Sequence, residues 1–199
     1  MTYWNVPSLW AERTVVIYAS GPSMNQGVVE ATRHLPAIVI NDTFRLAPDA
    51  NVLYAADDDW WKENPDAQIF PGLKVTIGEK CKLNFIYKLR NTGNKGFDPD
   101  RSCLRTGGNS GYQALHLAIH GDAKRVLLCG YDMSNKKGDH WFGKHKAPLK
   151  QTDPDSYKNW AKRFDDLAKV AAVRSVEIIN CTLDSAISAF PIRSLSSVL

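Results

Sequence analysis

Three stretches carry residue types and spacings that can do chemistry. Asp57-Asp58-Asp59 runs straight into Trp60-Trp61. Carboxylates at a strand end can hold Mg2+ against a diphosphate, and an indole face can stack on a base or a sugar. This makes Asp57, Asp58 and Asp59 candidate metal ligands and Asp58 and Trp60 candidate substrate contacts. The alternative is that Asp58 or Asp59 caps a helix whose tryptophans belong to the core. The second stretch is Ser20-Gly21-Pro22-Ser23, in which Gly21 allows close backbone approach, Pro22 fixes a turn, and Ser23 or Asn25 can cap a following helix. The third, Arg105-Thr106-Gly107-Gly108-Asn109-Ser110-Gly111, opens another helix. Free amides and the dipole at a helix start favour anions. Neither stretch is a dinucleotide Gly-x-Gly-x-x-Gly or a Gly-Lys-Ser/Thr phosphate loop.

These residues need a scaffold, and the apolar pattern predicts one. Val126-Leu127-Leu128-Cys129 has no alternation, as a strand covered on both faces requires, and Gly130 ends it. Tyr131, Asp132 and Ser134 then sit outside a carboxyl end, where open α/β sheets bind ligands. Thr14 to Ala19, Ala37 to Ile40 (ending in Asn41-Asp42-Thr43) and Asn51 to Ala56 read as further parallel strands. Two weak strand signals flank Pro71-Gly72 between Ala67 and Ile77, and Leu83 to Leu89 suits an edge strand or a bridge to the core. Tyr112, Leu115, Ala118 and Ile119 fall at helical spacing, closed by Gly121 and Asp122. Ser156 to Ala172 reads as an amphipathic helix, Ser175 to Asn180 as a last strand, and Asp184 to Phe190 as a short helix stopped by Pro191. Residues 131–155 form a long polar loop holding Asp139-His140-Trp141-Phe142-Gly143-Lys144-His145. Its aromatics need something to pack on, which makes it a lid and Trp141 a substrate contact. The expected architecture is α/β: one Rossmann-like domain over residues 1–199, a mostly parallel sheet with helices on both faces, and a lid at 131–155.

The composition excludes several classes. At 199 residues, 44% hydrophobic and 23% charged, the chain can bury its own core, and no apolar run approaches membrane-span length. The first residues lack a basic and apolar leader pattern, so a cytoplasmic protein is expected. Cys81, Cys103, Cys129 and Cys181 form no Cys-x-x-Cys pair and read as reduced thiols rather than a zinc site. Lys136, Lys137, Lys144, Lys146 and Lys150 against Asp139 account for the whole net charge of +4. One basic loop on a neutral body suggests a local anionic ligand rather than a nucleic-acid face, which needs a broad basic stripe.

Ser20-Gly21-Pro22-Ser23, Asn41, Thr106-Gly107-Gly108 and Leu128-Cys129-Gly130-Tyr131-Asp132 together resemble the sialyltransferases of glycosyltransferase family 42. They also resemble the wider set containing motility-accessory-factor glycosyltransferases, hydroxymethyl-dihydropterin diphosphokinases and small phage-encoded proteins. The resemblance implies a nucleotide site formed by Ser20, Gly21, Pro22, Ser23, Asn41, Thr106, Gly107, Gly108, Asn109, Ser110, Gly130, Tyr131 and Asp132. Ser20 stands where that family's first turn has an Asn that contacts the nucleotide, and Asn41 matches the family's Asn after the second strand. The family's base is a lid histidine, which makes His140, with His145 second, the implied catalytic residue. The family's phosphate-holding lid tyrosines have no evident pair here. Three readings stay open. One is a transferase using a nucleotide-sugar donor and a small-molecule or glycan acceptor, with no cofactor. The second is a Mg2+-dependent diphosphokinase, and the third a non-catalytic nucleotide-binding phage or accessory protein.

Overall fold

The computed structural model describes residues 2–145, 147–149 and 151–199. Lys146 and Lys150 of the basic loop therefore lie outside the described residues. In chain order the elements are β1 (Thr14–Tyr18), α1 (Gln26–Thr32), β2 (Ala37–Ile40), β3 (Val52–Tyr54), α2 (Asp58–Glu63), β4 (Leu73–Thr76) and β5 (Tyr87–Lys88). There follow β6 (Arg90–Asn91), β7 (Cys103–Leu104), α3 (Ser110–His120), β8 (Arg125–Cys129), α4 (Ser156–Val173) and β9 (Glu177–Asn180). Short 3-10 helices cover Asn41–Arg45, Pro65–Ile69 and Leu195–Ser197.

Seven strands form one parallel sheet in the order β5-β4-β3-β2-β1-β8-β9, and β6 and β7 pair separately. Ile17 of β1 stands in register with Ile38 of β2 on one side and Leu128 of β8 on the other. Alternate residues serve opposite faces, so nearly every central position must be apolar. Val15, Ile17, Ile38, Tyr54, Val126 and Leu128 pack with Tyr112, Leu115 and Ile119 of α3 and Phe164 and Leu167 of α4. Val16, Tyr18, Val39, Leu53 and Leu127 pack with Val29 of α1 and Trp60 and Trp61 of α2. This is the α/β fold with a mostly parallel sheet and helices on both faces that the apolar runs predict. None of its described helices is long and apolar enough to cross a membrane.

Two expected elements differ. The first of the two strand signals near Pro71 is the 3-10 helix Pro65–Ile69, and only the second is a strand. Residues 184–190 make turns and bends, not a helix. Their polar backbone is committed across the fold: Ala186 N–H donates to the Asp132 carbonyl at 2.9 Å, while Ser185 Oγ donates to the Tyr131 carbonyl and accepts from Ile187 N–H. Such side-chain and cross-chain bonds take the place of the i to i−4 ladder.

The candidate active site

The strand order reverses between β1 and β8. A cleft of about 220 Å3 opens there, beyond the carboxyl ends of β1, β2 and β8. Ligand sites of open α/β sheets lie at such switch points.

The turn after β1 is locked to the turn after β8. Ala19 N–H donates to the Cys129 carbonyl and Gly21 N–H to the Gly130 carbonyl, at 2.9 and 3.0 Å. Asp132 is buried and accepts from Ser23 Oγ at 2.7 Å and from Ser23 N–H at 3.4 Å. Ser23 therefore braces the cleft wall, while Asn25 caps α1 by accepting from Val28 N–H. A methyl group on Gly21 would lie 2.1 Å from Asp132 Oδ2 and 2.3 Å from the Gly130 carbonyl oxygen. We expect Gly21→Ala to cost about 1–3 kcal/mol, as overpacking against backbone does. A urea midpoint equal to that of the parent would show that this junction is soft.

Asn41 begins the turn after β2 at φ 48°, a conformation unfavourable for a side chain and often met at functional sites. Its Oδ1 is buried without a hydrogen-bond partner, and the residue borders the cleft. Ser20 lines the cleft too, but its hydroxyl is spent on the Ile40 carbonyl and Thr43 Oγ1, both at 3.2 Å. Across the opening, Ser110 and Gly111 bring the first turn of α3 to the cleft. Asn109 caps that helix, accepting from Tyr112 N–H at 2.8 Å. Gly108 sits at φ 80°, and a side chain there would meet the Trp160 indole nitrogen at 2.6 Å.

Residues 139–145 close the outer side. Trp141 N–H donates to the Ser20 carbonyl at 3.1 Å, and its indole nitrogen donates to Thr43 Oγ1 at 3.1 Å. Trp141 thus ties the loop down instead of facing the cleft. His140 stacks on Phe142, with ring centroids 4.9 Å apart, and lies 4.5 Å from the His145 ring. Its Nε2 is buried without a partner. Burial, with His145 adding to it, holds its pKa below the ordinary histidine value, so the ring is neutral near pH 7.

Of the expected nucleotide residues, Ser20, Gly21, Pro22, Asn41, Gly108, Asn109, Ser110, Gly130, Tyr131 and Asp132 border one cleft, together with His140, His145 and Asp57. Ser23, Thr106 and Gly107 do not; Ser23 lines a neighbouring cavity, and Thr106 Oγ1 donates to Asn94 Oδ1 at 2.9 Å, holding the loop before α3. Trp60 is core, its indole nitrogen donating to Asp42 Oδ2 at 2.9 Å. The three aspartates diverge. Asp57 faces the cleft, Asp58 accepts from Lys80 N–H at 3.1 Å, and Asp59 pairs with Lys62 at 2.8 Å. Among the described residues no three acidic, histidine or cysteine side chains are grouped as a metal would require. The Mg2+ ligand set does not fit this geometry.

Two functional candidates escaped the sequence reading. Tyr157 and Trp160, one turn apart at the start of α4, line the cleft, with Thr152 beside them. Burial chiefly pushes the Tyr157 hydroxyl up, with Asp139 and Asp132 adding to it, so it stays a hydrogen-bond donor. The signal was the apolar stripe of α4. Ala161, Phe164, Leu167 and Ala171 reach the core, and the stripe continues one turn further than the core does. The described loop lysines, Lys136, Lys137 and Lys144, do not border the cleft. Lys137 pairs with Asp184 at 2.5 Å, and Lys144 borders a neighbouring hollow with Arg45. Among the described residues the cleft carries Asp57, Asp132 and Asp139 but no lysine or arginine.

No protein-family model and no curated protein sequence matches the chain. Among solved structures it is similar to the sialyltransferase CstII from Campylobacter jejuni, solved in complex with a substrate analogue, cytidine-5'-monophosphate. The TM-score is 0.55 at 13% identity, over 92% of this chain and 86% of that one. At this identity the likeness shows a shared, sialyltransferase-like fold.

Proposed function

We propose, from that shared fold and from the cleft, that the chain is a nucleotide-dependent glycosyltransferase of the sialyltransferase-like kind, a single domain over residues 1–199 with 131–155 as its lid. The observation that carries the reading is the neutral, half-buried His140, whose Nε2 has no hydrogen-bond partner, bordering one cleft with the start of α3 and Asn41. His140 takes the proton of an acceptor hydroxyl as that oxygen bonds to the donor's sugar carbon. The bond from that carbon to the phosphate oxygen breaks, and the nucleoside monophosphate leaves. The Ser110 and Gly111 amides and the Tyr157 hydroxyl hold its phosphate, while Asn41 fixes the base or ribose.

Charge argues for a donor with one phosphate. A triphosphate brings three to four negative charges, and three carboxylates with no lysine or arginine give them no counter-charge in the described cleft. With the aspartates splayed as well, the diphosphokinase reading has less support. A thermal-shift series with CMP, CTP, ATP and GTP, each with and without Mg2+, tests this. CMP at about one hundred times its Kd should add ~2.7 kcal/mol and raise Tm by several degrees, with or without the metal. A shift confined to ATP plus Mg2+ would reverse the assignment, and no shift with any nucleotide would end it.

A further inference from the structure

Cys129 ends β8, and Cys181 directly follows the last residue of the neighbouring β9. Leu128 of β8 is in register with Asn180 of β9, which sets the next residues, Cys129 and Cys181, side by side. Cys181 N–H donates to the Leu128 carbonyl at 2.8 Å. Both side chains fall on the α1 face: Cys129 is buried with Val29 and Leu127, and Cys181 packs against that cluster. The neighbouring Cys181 thiol, with burial behind it, pushes the Cys129 thiol up, while the Cys129 thiol, helped by Arg125, holds Cys181 below the ordinary thiol range. Cys181 is half-buried and borders a second cavity of about 220 Å3. Gly130 and Asp132 line both this cavity and the cleft.

We propose that Cys129 and Cys181 are a thiol modification site, oxidised to an intramolecular disulfide by a small organic disulfide, and that the change is passed to the cleft through Gly130 and Asp132. The Cys181 thiolate attacks one sulfur of the organic disulfide, forms a mixed disulfide and expels one thiolate. That thiolate takes the Cys129 proton. Cys129 sulfur then attacks Cys181 Sγ and expels the second small thiolate, which takes from solvent the proton Cys181 had released. The two cysteines lose two electrons in all, and the organic disulfide gains them as two thiols.

Strand spacing explains why closure is felt at the cleft. Neighbouring strands lie ~4.8 Å apart, inside the ~4.4–6.8 Å that separates the Cα atoms of a disulfide. The bond can therefore close between these positions, and the two strand ends must adjust to its fixed dihedral geometry. The Cys129 carbonyl accepts from Ala19 and the Gly130 carbonyl from Gly21, so the shift reaches the turn after β1 as well. Exchange with a small thiol runs the same steps backwards, which makes the site reversible.

The test is incubation of the full chain with glutathione disulfide, followed by peptide mapping and amide hydrogen exchange. Two of the four cysteines should lose their free thiols, joined as a Cys129–Cys181 peptide, and exchange at residues 130–133 should become faster. Both changes should reverse with dithiothreitol and be absent in Cys181→Ser. Four unmodified thiols, a stable mixed disulfide on Cys181, or linkage to Cys81 or Cys103 would overturn the proposal. So would a Cys129–Cys181 link that leaves exchange at 130–133 unchanged. Neither readout needs a nucleotide, so the outcome is independent of the donor assignment.

Discussion

Lowering the pH from 6.5 to 4 will remove most of the stability of this protein, and two histidines far from the cleft will be the reason. His116 and His120 lie one turn apart on α3, fully buried, with ring centroids 4.7 Å apart and Phe97 stacked on His116 at 4.2 Å. His116 Nδ1 accepts from Arg105 N–H, and its Nε2 meets the Asp98 carbonyl at 3.2 Å. His120 Nε2 meets the Cys103 carbonyl at 3.0 Å. Those partners suit neutral rings with the proton on Nε2. Burial, then the neighbouring histidine and Arg174, lowers His116 to about 3. Burial, then Arg174 and Arg101, lowers His120 to about 4.

The sign follows from linkage. Folded pKa values below the unfolded 6.5 mean that the unfolded chain binds these protons first, so stability falls as pH drops from 6.5 toward 4 and 3. Near pH 5 the pair contributes a slope of about 2.7 kcal/mol per pH unit, and the loss by pH 4 is on the order of 6 kcal/mol, comparable to the whole stability of many domains. His140 adds in the same sense. Asp98, Asp100 and Asp122 are held below the ordinary carboxylate range, so they act only at still lower pH. Urea titrations at pH 6.5, 5.5 and 4.5 measure the slope. His116→Gln, although less stable at pH 7, should lose about one proton's share, ~1.4 kcal/mol per pH unit. An unchanged slope in that variant would mean His116 is not a titrating group in this window.

These two histidines show where the sequence was legible and where it was not. The parallel strands announced themselves because a doubly covered strand cannot alternate, and Val126 to Cys129 or Ala37 to Ile40 has no other stable place. The turns after β1 and β8 and the start of α3 were readable as a site, since each needs glycine or a cap where a strand hands over to a loop or helix. His116 and His120 carry no local sign of burial. Nothing local told that Phe97, Asp98 and Cys103 would pack on these rings, or that α3 is buried from Tyr112 to His120. The Asp57 to Asp59 run shows the converse. Adjacent residues in a first helical turn point in different directions, so sequence proximity misreported three separate environments as one cluster. Tyr157 and Trp160 were hidden because a longer apolar stripe reads the same whether it ends in core or in cleft.

His140→Ala should lower turnover by about 10²- to 10⁴-fold, the usual share of a general base, equivalent to roughly 3–5 kcal/mol in the barrier. Nucleotide affinity should change little, because in the proposed mechanism His140 takes the acceptor's proton and does not hold the donor's phosphate. The pH profile carries a second signature. With its pKa held below 6.5, His140 is neutral at pH 7, and activity should fall only as pH drops through that lowered value. His145→Ala removes a neighbour that lowers it and admits water to the ring. Both effects raise the His140 pKa, so the acidic limb should move to higher pH. A merely structural His145 would change the height of the profile and leave the limb in place. Isothermal titration with CMP and a pH series of initial rates, run on the parent and both variants between pH 5 and 8, separate these cases. Equal losses of affinity and turnover in His140→Ala would make His140 a binding residue, and full turnover in that variant would remove it from the mechanism.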